Sequence, residues 1–145
     1  MMMNQKTNSG QSSEVREQVV EYEVRRKDSV QWKYDPRKLI PFDQNEAVAK
    51  KIAERFSVEK ILLFGSYAYG EPEEGSDVDL LIIMDHDKES NRKQMFEIAR
   101  MLSPRPFPID LVVRTPRDID TRIPQGDWFL KDAYEKGKVL YANAP

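Results

Sequence analysis

Leu62-Leu63-Phe64-Gly65-Ser66-Tyr67-Ala68-Tyr69-Gly70, followed by Ser76-Asp77-Val78-Asp79-Leu80-Leu81-Ile82-Ile83, sets the frame in which the remaining sequence is read. Both apolar runs read as strands covered on two faces, because neither alternates polar with apolar residues. Gly65 and Ser66 end the first strand, Glu59 to Phe64, and open a very short helix. Glu71-Pro72-Glu73-Glu74-Gly75 is a turn-rich loop, and the second strand runs from Asp77 to Met84. The connection is too brief for an ordinary parallel crossover, so an antiparallel pair is expected. Asp77 and Asp79 then share one face of the second strand.

Each half of this stretch has a plain structural reading beside a chemical one. Strand-Gly-Ser-helix is simply a good turn and cap. Yet Gly65 lets a ligand approach the backbone with no Cβ in the way. The first amides of a helix lack intrahelical acceptors and favour an anion, and Ser66 adds a directed hydroxyl. Asp77 and Asp79 would be ordinary at a solvated strand mouth, one capping a loop turn and the other meeting an arginine. Half-buried among Val, Leu and Ile, they instead repel each other and lose hydration. Hard divalent cations such as Mg²⁺ offset that cost and keep positions open for phosphates.

Asp110 supplies a third carboxylate inside an apolar strand, Ile109-Asp110-Leu111-Val112-Val113, where a charge is expensive without a partner. If that strand neighbours the second, the three carboxylates can hold two metal ions roughly 3.5–4 Å apart. That arrangement serves in-line phosphoryl or nucleotidyl displacement. Asp110 is then also placed to take the proton of an attacking hydroxyl.

Outward from these strands the chain alternates helix with strand. Asp43 is a candidate N-cap for a helix through Phe56, with Val48, Ile52 and Phe56 on one stripe. Ser90 to Leu102 reads as a helix with Met95, Ile98, Ala99 and Leu102 facing inward. Pro104, Pro106 and Pro108 force an extended lead into the third strand. Thr115 caps a short helix from Pro116 to Ile123. Asp127 to Lys136 is a last helix, stopped by Gly137, with Leu130, Ala133 and Tyr134 on one side. Lys138-Val139-Leu140-Tyr141 is a final short strand. The order implies an α/β (α+β) fold, one mixed sheet packed against helices, in a single domain over residues 42–145.

Residues 1–41 read as an extension to that domain. They comprise a polar start expected to be disordered, an amphipathic helix over 14–27 with Val15, Val19 and Tyr22 in step, and a short edge strand or arm from Val30 to Tyr34. Asp85-His86-Asp87 contains the sole histidine, but three adjacent side chains cannot all turn to one ion from a strand, so a solvated loop is expected.

Composition narrows the class. The 145 residues contain no cysteine, which excludes disulfides and thiolate metal sites. A formal charge of −2 gives no electrostatic case for nucleic-acid binding. The first residues lack the apolar run of a signal peptide, and no apolar run is long enough to span a bilayer, so a soluble cytoplasmic protein is the expectation.

Gly65-Ser66, then Asp77-Val78-Asp79, then Asp110 resembles the signature of the polymerase-β-like nucleotidyltransferase superfamily. The runs Phe64 to Gly70 and Ser76 to Leu81 resemble its minimal (MNT) branch. The resemblance implies the nucleotidyltransferase fold, with ATP as substrate and two Mg²⁺ ions as cofactors. It implies that Gly65 and Ser66 hold the triphosphate, that Asp77 and Asp79 bind both metals, and that Asp110 is a metal ligand and base. In one respect the sequence departs: many minimal members carry arginine where Tyr67 and Tyr69 stand here. The chain ends soon after its last strand, with no helical second domain to wall an acceptor pocket, which points to a partner protein. Minimal members are often antitoxins of HEPN/MNT toxin–antitoxin pairs, which transfer AMP to a hydroxyl of a helical ribonuclease toxin. Adenylylation of a small molecule such as an aminoglycoside, by a homo-oligomer, and a non-catalytic binding module are the alternatives.

Overall fold

The structure, a computed structural model, describes residues 34–143, nearly all of them within the compact unit Pro36–Pro145. The expected helix over 14–27 lies outside the described residues, as does the arm from Val30 apart from Tyr34, which belongs to no helix or strand. Element order is α1 (Phe42–Arg55), β1 (Lys60–Phe64), α2 (Ser66–Tyr69), β2 (Val78–Ile83), α3 (Asn91–Met101), β3 (Ile109–Arg114), α4 (Pro116–Arg122), α5 (Trp128–Lys136) and β4 (Lys138–Ala142).

The sheet runs β3-β2-β1-β4. β1 and β2 are antiparallel, as the short link between them requires, with Leu62 opposite Leu81 and Phe64 opposite Asp79. β2 and β3 are parallel and joined through α3, with Asp79 opposite Asp110. β4 closes the other edge antiparallel to β1. The sheet is therefore mixed, as expected.

Side-chain alternation divides the core between the two faces. Leu62, Phe64, Leu81 and Ile83 form one buried cluster with Ile119 of α4 and Leu130 and Ala133 of α5. The intervening Ile61, Leu63, Leu80 and Ile82 are equally buried on the opposite face. There α1 lies against β4 and α3 against β3. Strands apolar on both faces are thus covered on both, and truncating a residue such as Leu80 to alanine costs ~2–5 kcal/mol. The end of α5 lies close against β1. A Cβ on Gly137 would lie 2.9 Å from the Leu63 carbonyl oxygen, so only glycine lets this helix end against β1.

Two local expectations need correction, and a third holds only in part. Asp43 is not the cap of α1: Pro41 holds that position with φ −63° and ψ 151° and no side-chain bond, and Asp43 falls in the first turn. There its charge favours the positive end of the helix dipole. In α3 the buried residues are Gln94 and Ile98, because the helix is turned so that Met95 and Ala99 are only half-buried. Asp85-His86-Asp87 is a loop with both aspartates exposed, as expected, but His86 within it is tied down. It is half-buried, its Nδ1 accepts from the Lys88 amide at 3.1 Å, and its Nε2 therefore donates to Asn91 Oδ1 at 2.8 Å.

Candidate active site

The turn after β1 is shaped by one backbone requirement. Gly65 has φ 76° and ψ −153°, a region that L side chains avoid. Space forbids a side chain as firmly: a Cβ there would collide with Asp79 Oδ2 and lie 3.2 Å from its Cγ. Glycine thus brings bare backbone against the carboxylate. The Ala68 and Tyr69 amides return to the Gly65 carbonyl at 3.0 and 3.1 Å, which closes the single turn of α2. Ser66 is the first residue of that turn, where amides have no acceptor behind them.

Below the turn, one rung crosses three strands. Phe64 of β1 pairs with Asp79 of β2, which pairs with Asp110 of β3, and all three side chains lie on the α4–α5 face. Asp77 stands two residues before Asp79 at the exposed mouth of β2. The sequence places it inside the strand, whereas β2 begins at Val78. Asp79 is half-buried, and Asp77 and Asp110 are exposed.

The electrostatics are unfavourable for ionised carboxylates. Burial first, then the charges of Asp110 and Asp77, push the Asp79 carboxyl up to about 6 from an ordinary 3.8. Among the described residues no three acidic or imidazole side chains already converge closely enough to hold a metal ion. The donor set nevertheless suits a hard cation: oxygen ligands only, with net repulsion that a cation relieves, and with Asp77 and Asp110 exposed and able to change rotamer.

Two features beside the site were not legible in the sequence. Tyr67, standing where arginine is common, accepts a hydrogen bond from the Ile40 amide at 3.1 Å, so it ties the segment ahead of α1 to α2. No local pattern signals a contact across 27 positions. At the start of α5, Phe129 packs edge-on against Phe64, ring centroids 5.4 Å apart at 88°. Its neighbour Trp128 is 77% exposed. Apolar aromatics directly after a capping aspartate, off the Leu130–Ala133 stripe, were the available signal.

The fold and this arrangement define a nucleotidyl-transferring enzyme class. Residues 46–141 match the nucleotidyltransferase domain family, and the chain belongs to it. It is 33% identical over 95 residues to a protein of Methanocaldococcus jannaschii provisionally named a protein adenylyltransferase, covering 64% of this chain and 88% of that one. A crystal structure of a provisionally named nucleotidyltransferase from Sulfolobus solfataricus shares the fold, with TM-score 0.51 and 17% identity over 70% of this chain and 79% of that one. A toxin–antitoxin complex crystallised with AMP-PNP aligns more loosely, at TM-score 0.47 and 23% identity, over 68% of this chain and 74% of that one. Among the described residues, no helix is long and apolar enough to cross a membrane.

Proposed function

We propose that this nucleotidyltransferase moves AMP from ATP to a hydroxyl of a partner protein, as the antitoxin of a HEPN/MNT toxin–antitoxin pair in the cytoplasm. The observation that carries the catalytic part is the placement of Asp79 in register with Asp110 directly under the Gly65 turn. The protein acceptor rests on the MNT-like motifs and on the name given to the archaeal relative.

In this reading Gly65 and Ser66 hold the triphosphate through the α2 amides and the Ser66 hydroxyl. Asp77, Asp79 and Asp110 are the residues that would hold Mg²⁺, two ions by resemblance. The ions would screen phosphate charge and acidify the attacking hydroxyl. Asp110 takes the proton of the acceptor hydroxyl as its oxygen bonds to the α-phosphorus, and pyrophosphate departs with the electron pair of the broken P–O bond. Asp79, the most buried of the three, would hold a cation close beneath the Gly65 turn.

Incubation with ATP, Mg²⁺ and the neighbouring-gene protein, followed by intact-mass measurement, tests the proposal. An AMP-sized gain on the partner supports it. A gain only on an aminoglycoside gives the activity to small-molecule transfer, and tight partner binding with no transfer gives it to a non-catalytic module.

A further inference from the structure

We propose that Trp128 and Phe129 form the surface on which the nucleobase of the bound nucleotide stacks. The inference rests on the nucleotide-transfer reading above and adds residues that no motif assigns. The rung that carries Asp110 and Asp79 continues through Phe64 to Phe129. With neighbouring strands ~4.8 Å apart, the aromatic end of the row begins one strand spacing from Asp79. A nucleotide whose phosphates lie between the Gly65 turn and the carboxylates has its base carried away from them, and this row offers an aromatic surface in one such direction.

Phe129 is exposed without being loosely held, and Trp128 precedes it on a fixed backbone. Trp128 and Phe129 are 77% and 54% exposed, yet the segment before them is fixed at several points. The Asp127 amide donates to the Arg122 carbonyl at 3.0 Å, and the Asp127 carboxylate pairs with the Arg122 guanidinium at 3.1 Å. The same carboxylate caps the Leu130 amide at 3.0 Å. The ring of Phe129 is braced on Phe64, which is 5% exposed. A braced aromatic ring beside a second one open to solvent is suited to stacking, which tolerates any base because every base has a π-face. Stacking reads ring area rather than a hydrogen-bonding edge, so purines should bind better than pyrimidines, and ATP and GTP should differ little.

The test uses the full chain carrying Trp32→Phe, which leaves Trp128 as the only tryptophan of the two. ATP, with Mg²⁺, is expected to quench Trp128 emission, whereas inorganic tripolyphosphate competes with ATP but causes no quenching. Trp128→Ala, in the otherwise unaltered chain, is expected to weaken ATP binding roughly tenfold by calorimetry and to leave tripolyphosphate binding unchanged. Phe129→Leu, which keeps apolar packing on Phe64, should weaken ATP to a smaller extent. ATP binding with unaltered Trp128 emission and unaltered affinity in Trp128→Ala overturns the inference while leaving the nucleotide reading intact. If Trp128→Ala instead loses only a protein acceptor, the pair is a docking surface and the inference fails. Absence of any triphosphate binding overturns both readings together.

Discussion

The two ends of β2 and β3 each gather aspartate, and they treat it in opposite ways. Beyond the last residues of these strands, Asp118 accepts from the Thr115 amide at 2.9 Å and from Asn91 Nδ2 at 2.9 Å, and Asn91 is held by His86. The Thr115 hydroxyl closes the capping box from the other side. Burial pushes the Asp118 carboxyl up, but the bonds from Thr115 and Asn91, with Arg122 nearby, more than reverse it and hold it below the usual carboxylate range. At the opposite end Asp79 is offered other carboxylates and is pushed up to about 6. A carboxylate met by donors stabilises the fold. One met by like charge stores an unfavourable interaction that a cationic ligand can release, which is the pattern expected where chemistry is done.

The sharpest way to break this contrast is to neutralise each acid in turn. Asp79→Asn is expected to lower AMP transfer in single-turnover assays by several orders of magnitude, since losing a general base alone costs roughly 10²–10⁴. Asp118→Asn should leave turnover per folded molecule unchanged, and near-normal transfer by Asp79→Asn would erase the distinction. Ligand linkage comes next in size. Mg²⁺ with a non-hydrolysable ATP analogue at about 100 times its Kd should stabilise the protein by roughly 2.7 kcal/mol, read as a rise in Tm. Asp79→Asn should remove most of that rise and Asp118→Asn none of it.

Stability separates the ends by smaller amounts. Asp118→Ala removes a capping acceptor and strands Asn91, and should cost ~1–2 kcal/mol by urea denaturation. Asp79→Asn in the absence of divalent cations should do the reverse, raising stability at neutral pH by about 1 kcal/mol after allowance for solvent screening. The pH dependence has opposite signs at the two sites. The Asp79 carboxyl titrates near 6 when folded and near 3.8 otherwise, so its contribution is fully present below 3.8 and is lost as pH rises through about 6. Asp118 contributes above the ordinary carboxylate range and its contribution is lost as pH falls through its lowered folded value. Calorimetry across pH 4 to 7 should therefore show the ligand-free protein losing a component with rising pH that Asp79→Asn lacks.

The same contrast explains what the sequence displayed and what it concealed. Asp79 and Asp110 interrupt runs of Val, Leu and Ile, and that anomaly is local and visible. The antiparallel link, the parallel crossover and the capping Thr115-Pro116 likewise follow from residues close together in the chain. The His86–Asn91–Asp118 network spans three elements and draws on residues common in loops, so nothing in its spacing separates it from a solvated turn. Asn45 and Gln94 are buried although polar, and a reading that counts only apolar periodicity cannot find them. The Pro41 start of α1 was hidden because proline at a cap leaves no side-chain signal. Trp128 and Phe129 carry no periodic signal, because the stripe that buries α5 runs through Leu130 and Ala133 and the aromatics lie off it.

The contact between Gly65 and Asp79 bears on how this fold can decay over generations. A methyl group at position 65 meets the Asp79 carboxylate before any other atom, so the two positions are not independently variable. Alanine at 65 is most harmful while Asp79 is present and less so once that side chain has shortened, a non-additivity that a double-mutant cycle would measure directly. Loss of activity by drift therefore has a favoured order, with the carboxylate going first and the glycine only afterwards. A descendant that keeps the aspartate but has lost the glycine is the combination this geometry disfavours most.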